Sequence, residues 1–525
     1  MQFFSFDPNN PVFQIKDWTL SLQIITLENV YGLDPDGIRS SEHADTAALQ
    51  CVGLRWGGGQ QYAPGSVDVL ARFEPDGMRV QIKAEAPEPI RAVKIMIRHL
   101  PPLTALDQLD AERAVPPEGL LDRYPNQLRL PIACVRTLDG ETFGFRCEDA
   151  EHRAKRFAIY RERFAEDYTV ECIHEEDARL FDTRISVPDW IFTRAADPAA
   201  FRADQLAFNE RAAGLVRWED RADVPEWARH LRLVVTLHGM HWSGYTFNTY
   251  AQMIDTLRYV AARIDGGQVL AYLPGWEGRY YWQYGDYRPE PLLGGESGFA
   301  ALCHTARDLG IHLMPMFGAN CVNAWRSNYH LFGPSSHMKT ATRNVFHGNQ
   351  PDWDTSRTQD TGWQAWLNPG APAWQRELTR QIMRLLDQYD LHAVFLDTVE
   401  VWVNDPDFNM LEGYRQLVAE LHQRRAHLLV TGEDWYDGLL PLFPIFQRTT
   451  KWRQTPDWVG RYARLMGHIA DSEPSRGSTG VFESGYAPYE RMPAQPHYLP
   501  TIAFVDGTLE RSQHEIDSVI ARARG

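Results

Sequence analysis

From residue 231 onward, short runs of consecutive apolar residues alternate with stretches whose apolar residues recur every three to four positions. Residues 231–237, 268–273 and 312–317, then the runs ending at Asp397 and Glu433, are of the first kind. Met253, Leu257, Val260 and Ile264 mark the second, as do Trp374, Leu378, Ile382 and Leu385, and again Leu411, Tyr414, Leu417 and Leu421. A strand without polar alternation is buried on both faces, which calls for a parallel sheet with helices packed against it. Neither G-x-G-x-x-G nor G-x-x-x-x-G-K-[ST] follows the first run, so an open nucleotide-binding sheet is not indicated. Fainter strand signals at 442–446, 479–483 and 501–505 bring the count to eight. With a closing helix at 510–523, the pattern predicts an α/β fold, a (β/α)8 TIM barrel over 231–525 with a long insertion at 321–370.

The first 195 residues follow a different rhythm. Val67 to Phe73 alternates apolar and polar residues, passes through Glu74-Pro75-Asp76-Gly77, and resumes from Met78 to Ala84. That is a hairpin signal, and segments such as Thr142 to Cys147 and Tyr168 to Ile173 continue it. An antiparallel β-sandwich is expected over 1–195, joined to the barrel by a polar helical linker at 196–230. A chain of 525 residues has room for both units, each with its own core.

A net charge of −16 opposes binding to phosphate backbones and anionic membranes, so neither nucleic acid nor membrane is an expected partner. The basic stretch 153–163 is interleaved with acids and is expected to form a solvated sheet face. Six cysteines without C-x-x-C spacing are expected in the core. His238 and His241 lack the H-E-x-x-H pattern, so no metal or cofactor is expected. The start has neither a basic n-region nor a long apolar run, giving a cytoplasmic expectation. Oligomeric state is open.

In a parallel barrel, side chains at the C-terminal strand ends face the mouth where chemistry is done. Asp397 and Glu433 end consecutive strands. Paired carboxyls there can protonate a leaving oxygen and attack an anomeric carbon, the two tasks of glycoside hydrolysis. Asp434 competes with Glu433 for the inward position, Glu400 follows Asp397 by three residues, and Glu483 is a possible third carboxylate on the expected seventh strand. Around them the strand ends offer His238 and His241, then Trp276, Arg279 and Tyr280 running on to Tyr284, Asp286 and Tyr287, then Asn320 and Trp435. Flat rings among directed polar groups suit a polyhydroxyl ligand. The aromatic content of 12%, with 17 Trp and 21 Tyr, agrees with that chemistry. The insertion, rich in His and Trp, is expected to be a lid or subdomain.

A strand four ending in Asp397 and a strand five ending in Gly432-Glu433-x-Trp435 resemble the α-amylase superfamily. The β-sandwich ahead of the barrel is closest in layout to the related endo-α-N-acetylgalactosaminidase families. The resemblance implies a retaining mechanism on α-glycosides, with Asp397 as nucleophile and Glu433 as acid/base, acting on an oligosaccharide or a small glycoside. Amylases carry Arg two residues before the nucleophile, where this chain has Phe395, and His-Asp where it has Phe482-Glu483, so their specificity is not implied. The α-galactosidase-like barrels carry their acid on strand six, where this chain has Phe446-Gln447. Two alternatives share the same residues: a carbohydrate-binding protein without turnover, and a transglycosylase.

Overall fold

The computed structural model describes residues 3–7, 10–162, 166–194, 197–241, 244–279, 281–346, 363–447, 455–467, 496–505 and 507–524. The chain divides into two compact units. Met1–Leu215 and Asn404–Asp407 form the first; Val216–Val403 and Phe408–Gly525 form the second.

The first unit is built of antiparallel strands in two layers. One runs in the order Phe3–Asp7, Asn10–Ile15, Trp18–Thr26, Ile90–Leu100, Tyr168–Glu175, Lys155–Arg161, Leu120–Tyr124. The other begins at Ile38–Glu42, passes through Thr46–Trp56, Gln61–Glu74, Gly77–Glu85 and Arg184–Arg194, and continues to Thr142–Glu148 and Ile132–Thr137. The short strand Val30–Leu33 pairs with both layers. The Pro75-Asp76 turn closes the expected hairpin, with Glu74 opposite Gly77. Gly77 is obligatory there because a Cβ would collide with the Phe192 carbonyl of the neighbouring strand. Alternating inward residues bring Trp18 against Phe143 at 5.8 Å and Phe157 against Trp190 at 5.7 Å, an aromatic core between the layers.

The basic stretch is not simply a solvated face. Lys155 is fully buried, its Nζ 2.7 Å from Asp149, and Arg153 bridges Asp149 at 3.1 Å and Glu176 at 2.8 Å. Nearby acids supplied by the chain turn a run of cations into an internal ionic cluster. All six cysteines are buried and unbridged.

In the second unit eight parallel strands follow one another: β1 Leu233–Leu237, β2 Val269–Leu273, β3 His312–Gly318, β4 Ala393–Asp397, β5 Leu429–Glu433, β6 Ile445–Gln447, β7 Arg464–Met466 and β8 Thr501–Phe504. β8 pairs with β1. Between β7 and β8 the ring is closed by a single bridge, Leu465 to Tyr498, with Leu465 N–H donating to His497 O and Leu499 N–H to Leu465 O, both at 2.8 Å. The chain thus has the expected barrel preceded by an antiparallel β domain.

Helices α1 Tyr250–Ala261, α2 Gly295–Asp308, α3 Pro372–Tyr389, α4 Met410–Arg424 and α5 Gln513–Arg524 bury the apolar stripes read from the sequence. Their starts are encoded locally: Thr249 and Gln252 form a reciprocal capping box on α1, and Asn409 caps α4. The seventh strand was not foreseen at its position. The strand next to β6 in the sheet is Arg464–Met466, which the sequence did not suggest, while the expected strand at 479–483 lies outside the described residues. Three residues with only Leu and Met apolar are too short to stand out as a run. After β6 the connection contains a 3-10 helix, Asp457–Arg461. In the insertion, Cys321–Asn323 pairs antiparallel with Gln364–Trp366. No described helix is long and apolar enough to cross a membrane.

Candidate active site

Parallel pairing sets the two acids side by side. Leu396 of β4 is in register with Gly432 of β5, so Asp397 and Glu433 are the next step on each strand. Registered neighbours share a face of the pleat. Gly318 of β3 is opposite Asp397, and Gln447 of β6 is opposite Glu433, giving one row: Gly318, Asp397, Glu433, Gln447.

The carboxyls of Asp397 and Glu433 lie within hydrogen-bonding reach of each other. Asp397 is 5% exposed and Glu433 is partly exposed. Tyr284 O–H donates to Asp397 Oδ2 at 2.6 Å, and Thr398 N–H donates to Glu433 Oε2 at 2.9 Å. Burial pushes the Asp397 carboxyl up to about 6, against the hydrogen bonds from Tyr284 and Glu433 that favour its charged form. Glu433 is raised well above the usual range, by burial first and then by the negative charges of Glu400 and Asp397. The proton therefore stays on Glu433 and the charge on Asp397. Two adjacent acids are thus given different proton affinities by their surroundings.

The loops that follow both acids are strained. Thr398 has φ 63° and Asp434 φ 45°, left-handed conformations that side-chain-bearing residues seldom adopt. Asn320 holds the first of these turns: its amide donates to Thr398 O at 2.8 Å and to Tyr414 Oη at 3.0 Å, and it accepts from the Thr398 hydroxyl. Tyr284 reaches Asp397 because residue 318 is glycine; a Cβ there would fall within the tyrosine ring.

Other residues singled out from the sequence have varied surroundings. His238 and His241 are buried near each other, ring centroids 6.1 Å apart, and His238 packs on Phe247 at 4.8 Å. Burial, followed by the nearby Arg279 charge, lowers His241 to about 4, so it is neutral at physiological pH. Arg279 lies 4.9 Å over the ring of Trp282, which meets Trp325 and Trp363 edge-on at 5.5 and 5.1 Å. Trp276 is a core residue, fully buried with its indole N–H donating to Met316 O at 3.0 Å, and offers no wall to a ligand. Asp286 pairs with the exposed Arg288 at 2.9 Å. Asn320 serves the backbone, as above. Glu400 is partly exposed and close enough to raise Glu433. Asp434 accepts from the N–H of Trp435, itself buried edge-on to Trp458 at 5.3 Å. Tyr280 and Glu483 lie outside the described residues.

Tyr284 was named only as one ring in a series, with no role of its own, and Glu277 was not singled out. Tyr284 sits in the aromatic stretch after β2, where nothing local separates it from Tyr281 or Tyr287. Glu277 is 2% exposed, and neither carboxyl oxygen has a hydrogen-bond partner on another of the described residues. Burial is the main cause of its strongly raised pKa, with Asp397 adding repulsion. An acid between Trp276 and Gly278 was the available signal.

No family model matches the sequence, and no curated protein matches it. Solved structures do match in fold. The ligand-free α-N-acetylgalactosaminidase of Bifidobacterium bifidum aligns over 100% of this chain and 93% of its own, with 15% identity and a TM-score of 0.66. A GH36 α-galactosidase from Geobacillus stearothermophilus aligns over 98% and 76%, with 12% identity and a TM-score of 0.53. The α-galactosidase from Lactobacillus brevis aligns over 98% and 73%, with 13% identity and a TM-score of 0.54. The whole arrangement, antiparallel domain followed by barrel, is common to this chain and these structures.

Proposed function

We propose that this chain is a glycoside hydrolase that cleaves α-glycosides with retention of configuration, Asp397 acting as nucleophile and Glu433 as acid and then base. The observation that carries the proposal is the pairing of two carboxyls at the ends of adjacent parallel strands, in register on one face of the sheet, and the stronger upward shift of Glu433 agrees with it. Inversion requires roughly 6.5–9.5 Å between the carboxyls to admit a water, whereas retention works at about 5–5.5 Å. Ends of adjacent strands, about 4.8 Å apart, favour the shorter separation.

In the first step Asp397 attacks the anomeric carbon while Glu433 gives its proton to the leaving oxygen. The glycosidic bond breaks, the leaving group departs as an alcohol, and the sugar is esterified to Asp397. In the second step Glu433, now a carboxylate, takes a proton from water as the water oxygen attacks the same carbon. This releases the sugar with its original configuration and frees Asp397. Tyr284 stabilises the charged nucleophile, and Asn320 fixes the turn that aims it. The Trp282 cluster beside Arg279 supplies apolar faces and a cation for polyhydroxyl recognition. The matching folds belong to enzymes named for α-galactosides and α-N-acetylgalactosaminides, so those terminal sugars, on an oligosaccharide or a small glycoside, are the first substrates to offer.

Azide rescue tests the roles. Asp397→Gly with azide should yield the glycosyl azide of inverted configuration, and Glu433→Ala with azide the retained one, on substrates with an activated leaving group. Inverted product from wild-type enzyme, or rescue at neither position, would remove these assignments.

A further inference from the structure

Gln447 is the last of the row Gly318, Asp397, Glu433, Gln447. It ends β6 opposite Glu433, is 1% exposed, and its amide nitrogen has no hydrogen-bond acceptor among the described residues. Its backbone is fixed on both sides: its carbonyl accepts from Asp434 N–H at 2.8 Å, and it is in register with Met466 of β7. Burying an N–H donor without a partner is unfavourable, and here it occurs one strand from the acid of the site. The adjacent strands are about 4.8 Å apart.

We infer that Gln447 recognises the leaving group, donating an amide N–H to a hydroxyl or ring oxygen of a sugar attached to the bond being cleaved. The inference rests on the proposed roles of Asp397 and Glu433. Asp397 would lie at the anomeric carbon and Glu433 at the leaving oxygen, so the step from one strand to the next runs along the scissile bond. The next step, to Gln447, arrives beside whatever the leaving oxygen carries. A carboxylate at this position would compete for the proton of Glu433; a neutral amide offers a donor without doing so. The substrate class is thereby narrowed to glycosides whose leaving group bears oxygen acceptors, di- or oligosaccharides in preference to alkyl or aryl glycosides.

The test compares wild type with Gln447→Met on two substrates sharing the same terminal α-sugar, one a nitrophenyl glycoside and one a disaccharide. The fall in kcat/KM should be about tenfold or more greater for the disaccharide than for the nitrophenyl glycoside. Equal losses on both, or no loss on either, would overturn the role. Should Gln447→Met fail to fold, wild-type kinetics on disaccharides lacking single hydroxyls in the leaving sugar decide the matter: a loss of that size on removal of one acceptor supports the role, and indifference to every deletion overturns it. A wild-type chain that cleaves no glycoside overturns the hydrolase proposal itself, whereas activity with an unselective Gln447→Met overturns Gln447 alone.

Discussion

Asp149 in the first unit and Asp397 in the barrel are 4% and 5% exposed, yet their surroundings drive them in opposite directions. Burial works against the charge in both. For Asp149, Lys155 and Arg153 outweigh it and hold the carboxyl well below its ordinary range. Asp397 has no such cation among the described residues; its partners there are a tyrosine hydroxyl and a second acid, and it is raised to about 6. The paired acid is what a structural unit buries, because an ionic cluster left intact holds its strands in place. The unpaired acid, with Glu433 and Glu277 likewise raised, stores unfavourable free energy where chemistry can use it.

Substitutions at the two positions should separate the units. Asp397→Ala is expected to lower kcat by on the order of 10⁴-fold or more, as removal of a nucleophile does. Asp149→Asn should leave kcat per folded molecule unchanged, and any parallel loss would erase the contrast. Stability should respond the other way. Asp149→Asn leaves the buried Lys155 without its acid and Arg153 with Glu176 alone, and is expected to cost about 3–5 kcal/mol, measured as a lowered denaturant midpoint.

The pH dependence sharpens the contrast through its sign. Asp397 binds its proton more tightly folded than unfolded, so its contribution favours the folded state at acid pH and is lost as pH rises from about 4 through about 6. Asp397→Asn should therefore stabilise the protein at pH 8 by on the order of 2 kcal/mol, and the gain should vanish at pH 4 in paired thermal melts. For Asp149 the folded pKa is depressed, so its contribution is present above the ordinary carboxylate range and lost as pH falls below it. Equal melting shifts for Asp397→Asn at both pH values would contradict the unpaired state of that acid.

The smallest expected effect concerns Tyr284. Tyr284→Phe removes a donor that favours the Asp397 carboxylate, so the acid limb of the activity profile should move upward from about 6. Gly318→Ala, which displaces the Tyr284 ring, should move it the same way. An unchanged limb in both variants would show that the hydroxyl does not hold the nucleophile.

The five long strands of the barrel were legible because each is a run buried on both faces, and their ends located Asp397 and Glu433 directly. β6 and β7, three residues each, carry little pattern: β6 gave only a faint signal at 442–446, in which Gln447 counted merely as a position lacking an acid, and Arg464–Met466 gave none. Trp276 illustrates a different failure: aromatic character and rim position are shared by ligand walls and core anchors, and only the hydrogen bond to Met316 distinguishes them. Lys155 and Asp149 are six residues apart, but their burial depends on strand pairing that no local pattern expresses. Tyr284 is recognisable only through Gly318 and Asp397, both distant in sequence.

Incubation with a fluorinated glycosyl fluoride of the α-galacto series, which forms a glycosyl-enzyme quickly and hydrolyses it slowly, followed by peptide mass mapping, bears most directly on the central claim. A single sugar adduct on Asp397, absent from Asp397→Asn, is the predicted result. An adduct on any other carboxylate, or turnover of the reagent with no adduct at any time, would contradict the account.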